Sequence, residues 1–161
     1  MPIIELTTVI RAPRERVFDL ARSIDAHQDT TGGTEERAVA GVTHGLIGMG
    51  DEVTWEAQHF GIRQRLTVRI TAFDRPNHFQ DIMVSGAFKR MVHDHEFAEH
   101  PSGTLMRDRF EFQSPLGIVG RMAEVLFLKV YMCRFLVLRN EALNRLAESN
   151  EWRHYLDPGQ S

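Results

Sequence analysis

The sequence predicts an α+β domain in which a strongly curved antiparallel sheet of about seven strands wraps around one long C-terminal helix. Three features of the chain predict it. A β-branched first segment is followed by one or two short helical stretches; six extended segments then run from residue 35 to residue 113 with no helical periodicity between them; and from Ser114 the apolar spacing switches to three and four residues and stays so to Glu148. Consecutive strands without an intervening helix form an antiparallel meander, and the long helix must cover the meander's apolar face. At 161 residues, 42% hydrophobic and 25% charged, the chain has the profile of one domain, with a core over residues 2–148 and a polar tail over 149–161.

Taken in order, "IIELTTVIR" (residues 3–11) is rich in β-branched residues and reads as a strand. In "APRERVFDLARSIDAHQDT", Pro13 opens a helix whose apolar side carries Val17, Phe18, Leu20, Ala21 and Ile24. "TTGG" is a turn, residues 35–43 form a short strand, and "THGLIGMGD" supplies Gly45, Gly48 and Gly50 for a flexible loop. Those glycines neither follow a strand nor open a helix, so they are not a dinucleotide fingerprint. "DEVTWEAQHF", "IRQRLTVRITAFD" and "HFQDIMV" are strands separated by turns at Gly61 and "RPN". The middle one keeps Ile62, Leu66, Val68, Ile70 and Ala72 on one parity and arginines and threonines on the other, which gives it one wet face. "FKRMVHDHEFAEH", the "PSG" turn and "TLMRDRFEFQ" make a hairpin. The last segment, with Pro115 near its start, reads as a single helix of around eight turns, some 45 Å long.

Charge and composition narrow the function. The net charge of -3 and the absence of a Lys/Arg block argue against a nucleic-acid partner. Arg63, Arg65, Arg69 and Arg90 are interleaved with acidic residues, as on a solvated outer face. The most apolar stretch, residues 125–138, is interrupted by Lys129 and Arg134 and falls short of a bilayer span, so no membrane insertion is expected. Cys133 is the sole cysteine, which excludes an intrachain disulfide and fits a reducing, cytoplasmic location; the N-terminal residues lack the order of a secretory signal. The helix is apolar on more than one side, through Phe127, Leu128, Tyr131, Phe135 and Leu138, which leaves room for a homodimer contact.

The order of elements, the "RAPRERVFDLARSID" opening, "GDEVTWEAQHFGIRQRLTVRITAFDRPNHFQD" and "GTLMRDRFEFQSPLG" before a long helix resemble the START-like helix-grip superfamily, also called SRPBCC. It takes in birch-pollen allergens, lipid-transfer domains, plant abscisic-acid receptors, ring-hydroxylase catalytic domains and polyketide cyclases. The likeness runs from residue 2 to about residue 148 and is nearest to small bacterial members of the ligand-binding and cyclase/dehydrase-like kind. It implies a cavity between sheet and helix, hosting either a carrier or an enzyme. It also implies that the loops at 44–50 and 85–89 sit where the hormone receptors carry gates.

On that architecture, alternation places an unusual set of polar residues on the inner face: His59, Gln64, Asp81, His93, His95 and Asp108. Trp55, Met83, Phe88, Met91, Phe97, Phe110 and Phe112 are the matching wall candidates. "KRMVHDHEF" poses the central question, since His93 and His95 share a face with Met91 and Phe97. Four readings stay open. The histidines are core residues satisfied by Asp81 or Asp108; or the polar end of a pocket for a small hydrophobic or aromatic ligand; or, with His59 and Asp108, ligands of a metal; or a general base oriented by Asp81 or Asp108 in a cyclase or dehydratase. The expected partner is a small hydrophobic molecule, with neither cofactor nor metal assigned.

Overall fold

The computed structural model of the protein describes residues 1–115, 117, 122 and 124–156. Seven strands form one antiparallel sheet: β1 (Ile3–Ile10), β2 (Arg37–Gly41), β3 (Glu52–His59), β4 (Ile62–Asp74), β5 (His78–Ser85), β6 (Arg90–His100) and β7 (Gly103–Gln113). Their order is β1-β7-β6-β5-β4-β3-β2, so the first strand returns beside the last and everything between is a meander. Helices α1 (Arg14–Ala21) and α2 (Ile24–Thr30) follow β1. A π-helical turn over Glu124–Leu128 leads into α3 (Lys129–Glu148), and α4 (Arg153–Leu156) ends the described chain. This is the helix-grip arrangement expected from the sequence.

Two expectations change in detail. The sequence pattern predicts a helix continuous from Ser114, but α3 itself has 20 residues, about 30 Å, and residues 116, 118–121 and 123 of the expected span lie outside the described residues. The second concerns β4. Its pairing with β5 shifts between Ile70 and Ala72, and this bulge moves the inward parity on by one residue. Phe73 therefore faces the core in place of Ala72, while Ile62, at the other end, is largely exposed.

The core begins where α1 lies across the sheet. Phe18 is fully buried, and its ring meets Phe73, Phe79 and Phe97 edge-on at centroid distances of 5.5, 5.4 and 5.2 Å. The two helices meet at Ser23, whose hydroxyl caps α2 by accepting from the Ala26 amide at 3.1 Å. The glycine loop after β2 is held against this junction. Ile24 N–H donates to the Gly45 carbonyl, Gly45 N–H to Asp25, and Ile47 N–H to the Arg22 carbonyl, so Ile47 becomes a buried wall residue. At the β6–β7 turn, Gly103 has φ +143, and a Cβ there would stand 2.4 Å from the Ile10 carbonyl oxygen; only glycine permits β1 to close on β7.

The outer face is laced with ion pairs, including Arg63 and Arg65 on Glu56 at 3.0 and 2.8 Å, and Arg69 on Glu52. Such exposed pairs set cross-strand complementarity more than stability. The packing of Phe18 predicts that Phe18→Ala costs about 3–5 kcal/mol in urea unfolding; a loss below about 1 kcal/mol would show that α1 is not seated on this cluster.

Candidate functional site

Between the inner sheet face, the α1–α2 junction and α3 lies a cavity of about 400 Å³. Trp55, Ala57, Leu66, Val68, Phe79, Met91 and Phe110 form its sheet wall, and Met132, Phe135 and Leu136 its helix wall. The wall is apolar because inward parity on the strands and the 3.6-residue repeat on α3 both turn hydrophobic residues into the gap.

The polar groups at the deep end follow from register. His93 lies opposite Asp81 on β5 and Phe110 on β7; His95 lies opposite Phe79 and Asp108. The two imidazole rings are tilted by 39° to each other with centroids 3.8 Å apart. Each donates Nε2–H to the diagonal carboxylate: His93 to Asp108 Oδ1 and His95 to Asp81 Oδ2, both at 3.0 Å. His95 Nδ1 is also 3.0 Å from Asp108 Oδ1, but off the hydrogen-bonding direction. From α3, Asn140 donates to Asp108 Oδ2 at 2.7 Å, and Arg139 Nη1 stands 3.9 Å from Oδ1. Asp108 thus receives contacts from four side chains while being almost fully buried.

Burial disfavours every charge in this group, so its balance depends on the partners. Burial pushes the Asp108 carboxyl up, but the His93 hydrogen bond and the close approach and charge of both imidazoles outweigh this and hold it well below the usual carboxylate range. Asp81 is also lowered: burial raises it, and the His95 bond together with the nearby histidine and Arg139 charges prevails. The two histidines separate. Burial and the neighbouring His95 depress His93, against the pull of Asp108. For His95 burial acts downward too, yet the Asp81 hydrogen bond and the close approach and charge of both carboxylates win and raise it. His95 is therefore the more basic of the two.

Asp81, His93 and His95 place ligand atoms within 4.8 Å of one another, a set able to grip a divalent cation. In this arrangement, however, Asp81 already accepts the His95 Nε2–H, and a cation taking that nitrogen would have to displace this hydrogen. The wider set that includes His59 is not assembled. His59 lies toward the other end of the cavity, where Nδ1 is 2.6 Å from the Tyr131 hydroxyl.

Of the expected wall residues, Trp55, Phe88, Met91 and Phe110 line the cavity, as do the polar His59, Gln64, Asp81, His93 and His95. Met83, Phe97, Phe112 and Asp108 do not. Their parity is inward, but the inner face is larger than the cavity: Phe97 packs on Phe18, Phe112 is buried behind Phe88 and Phe110, Met83 packs against the core, and Asp108 sits beneath the histidines. Sequence reasoning missed Arg139 and Asn140, which the helical pattern places among the polar positions around the apolar stripe. Their signal was spacing, because 136, 139, 140 and 143 share one helical face with buried Leu136 and Leu143.

No family model and no curated protein sequence matches the chain. Solved structures do. A Thermus thermophilus protein, TTHA0849, superposes with a TM-score of 0.76 at 20% identity, over 92% of this chain and 100% of that one. Ginseng major latex-like protein 151 from Panax ginseng gives 0.68 at 14% identity, over 92% and 98%. Ara h 8.0201 gives 0.55 at 13%, over 88% and 97%. The chain shares the helix-grip fold of these structures. Among the described residues, no helix is long and apolar enough to cross a membrane.

Asp108→Asn should cost about 3 kcal/mol or more near neutral pH, because it removes the buried carboxylate that accepts from His93 and Asn140 and faces the Arg139 guanidinium. Since the folded-state pKa of Asp108 is depressed, its contribution is present above the unfolded value near 3.9 and is lost as pH falls through the folded value. The gap between wild type and variant in urea unfolding should therefore shrink below about pH 4. A gap that stays constant into strong acid would contradict the assignment.

Proposed function

We propose that the protein binds a small, largely hydrophobic or aromatic molecule in the cavity between sheet and α3, with the molecule's polar group against His93, His95, Asp81 and Arg139. The observation that carries this reading is the combination of an apolar cavity of about 400 Å³ with a charged, hydrogen-bonded cluster at its deep end. The volume falls in the range of small-molecule sites, and a mostly apolar wall with few placed polar groups is the pattern such sites share. Burial of the body supplies affinity, and the cluster sets orientation.

One observation favours a second reading, a cyclase or dehydratase. Neighbouring histidines with proton affinities driven apart provide a base and an acid in contact: His93, oriented by Asp108, and the more basic His95, held by Asp81. On this reading His93→Gln abolishes turnover of an aromatic polyketide-like substrate with the fold intact, whereas a carrier shows only altered affinity.

Binding is tested by calorimetric titration with naphthoic acid, alongside native mass spectrometry of the freshly purified protein. Saturable binding at one site is expected, and Leu66→Trp, which pushes an indole into the cavity, should remove it without lowering the unfolding midpoint by more than a few degrees. Equal binding by wild type and Leu66→Trp would place the ligand elsewhere and overturn the proposal.

A further inference from the structure

The cavity has a second set of polar groups, separate from the His–Asp cluster. Glu36, just before β2, accepts from His27 Nε2 at 2.9 Å, and the His27 ring lies over Trp55 with centroids 4.2 Å apart. His59, at the end of β3, bonds the Tyr131 hydroxyl of α3. All four side chains line the cavity. The Tyr131 ring packs on Phe60 at 4.5 Å, and Phe60 and Phe127 are cavity residues that are 64% and 71% exposed, so this end is the mouth. Tyr131 and Arg139 stand eight residues apart on one helix, about 12 Å along its axis.

We infer that Glu36, His59 and Tyr131 form a second polar subsite at the cavity mouth, which takes a hydroxyl or amino group of a rigid aromatic ligand whose carboxylate or carbonyl lies at Arg139 and His95. The inference rests on the pocket reading above and narrows its ligand class.

The two ends differ in the hydrogen-bonding groups they present. At the deep end Arg139 lines the cavity beside Asp81, with Asp108 beneath the wall, and its guanidinium offers N–H donors suited to a ligand acceptor. At the mouth, Glu36 is the formal anion. Burial pushes its carboxyl up, but the charge and hydrogen bond of His27 prevail and keep it ionised. Burial depresses His59 despite the Glu36 charge, leaving its imidazole neutral. An ionised acceptor beside a neutral imidazole and a phenol selects an O–H or N–H donor. A ligand polar at one end only would satisfy one subsite and leave the other's groups facing its apolar edge.

The test compares two probes by calorimetric titration: naphthoic acid, and the hydroxynaphthoic acid that carries its hydroxyl at the opposite end of the fused rings. In wild type the hydroxyl should tighten binding about tenfold, as expected for a hydrogen bond to a charged acceptor. Glu36→Gln should erase that gain and Tyr131→Phe reduce it, each read as the ratio of the two probes' affinities within the same variant. Because each variant is judged by the ratio of the two probes, a general loss of stability does not imitate the result, and Tyr131→Phe decides if Glu36→Gln does not fold. Equal affinities of the two probes in wild type, or a gain that survives in the variants, overturns the second subsite while the pocket stands. If neither probe binds wild type, the pocket reading falls and the subsite falls with it.

Discussion

The structure hangs on one buried carboxylate. Asp108 sits on β7 beneath the inner surface, where an isolated charge would cost several kcal/mol of desolvation. It is tolerated because His93, His95 and Asn140 surround it at hydrogen-bonding range and Arg139 stands just beyond. These partners come from β6 on one side and from α3 on the other. The carboxylate therefore joins the C-terminal helix to the sheet at a defined register, which apolar contacts alone specify less sharply.

The cavity is a consequence of where that joint lies. Toward its C-terminal end α3 meets the sheet closely, through Asn140, Leu143 and Ala147. Against this same end of α3, where Arg16 donates to the Ala147 carbonyl, α1 drives Phe18 between Phe73, Phe79 and Phe97 and fills the space with rings. Neither element reaches the region above β3 and β4, where Trp55, Leu66 and Val68 face the helix across a gap. A continuous run of ring contacts, Phe18 to Phe79 to His95 to His93 to Phe110, links the packed end to the open one. The histidines stand where that run meets the cavity, and both line it.

Much of this was legible in the sequence, and for a physical reason: alternation is a strong signal wherever one face of a strand is buried. The bounds of β4, Ile62–Asp74, and the shared inward parity of His93, His95 and Asp108 follow from it directly. What escaped were features set by geometry between elements. The bulge at Thr71 turns Phe73 inward, and no local pattern marks it. Arg139 and Asn140 look like solvent-facing helix positions until a carboxylate is placed opposite them. The Glu36–His27 contact joins a loop to a short helix, where neither partner lies on a periodic element. The glycine-rich loop reads as flexible from composition, yet its amides and carbonyls are engaged by the α1–α2 junction.

The central claim is that the His–Asp cluster is the polar anchor of a bound molecule and not merely a satisfied part of the core. Long-range proton–nitrogen spectra of the histidine rings, recorded while naphthoic acid is added at neutral pH, address it most directly. His95 is expected to be the more basic of the two and His93 to carry its proton on Nε2, and the resonances of both should move as the cavity fills, while those of the exposed His44 and His154 stay fixed. Saturable binding that leaves His93 and His95 unmoved would contradict it, and would return the two histidines to a purely structural role.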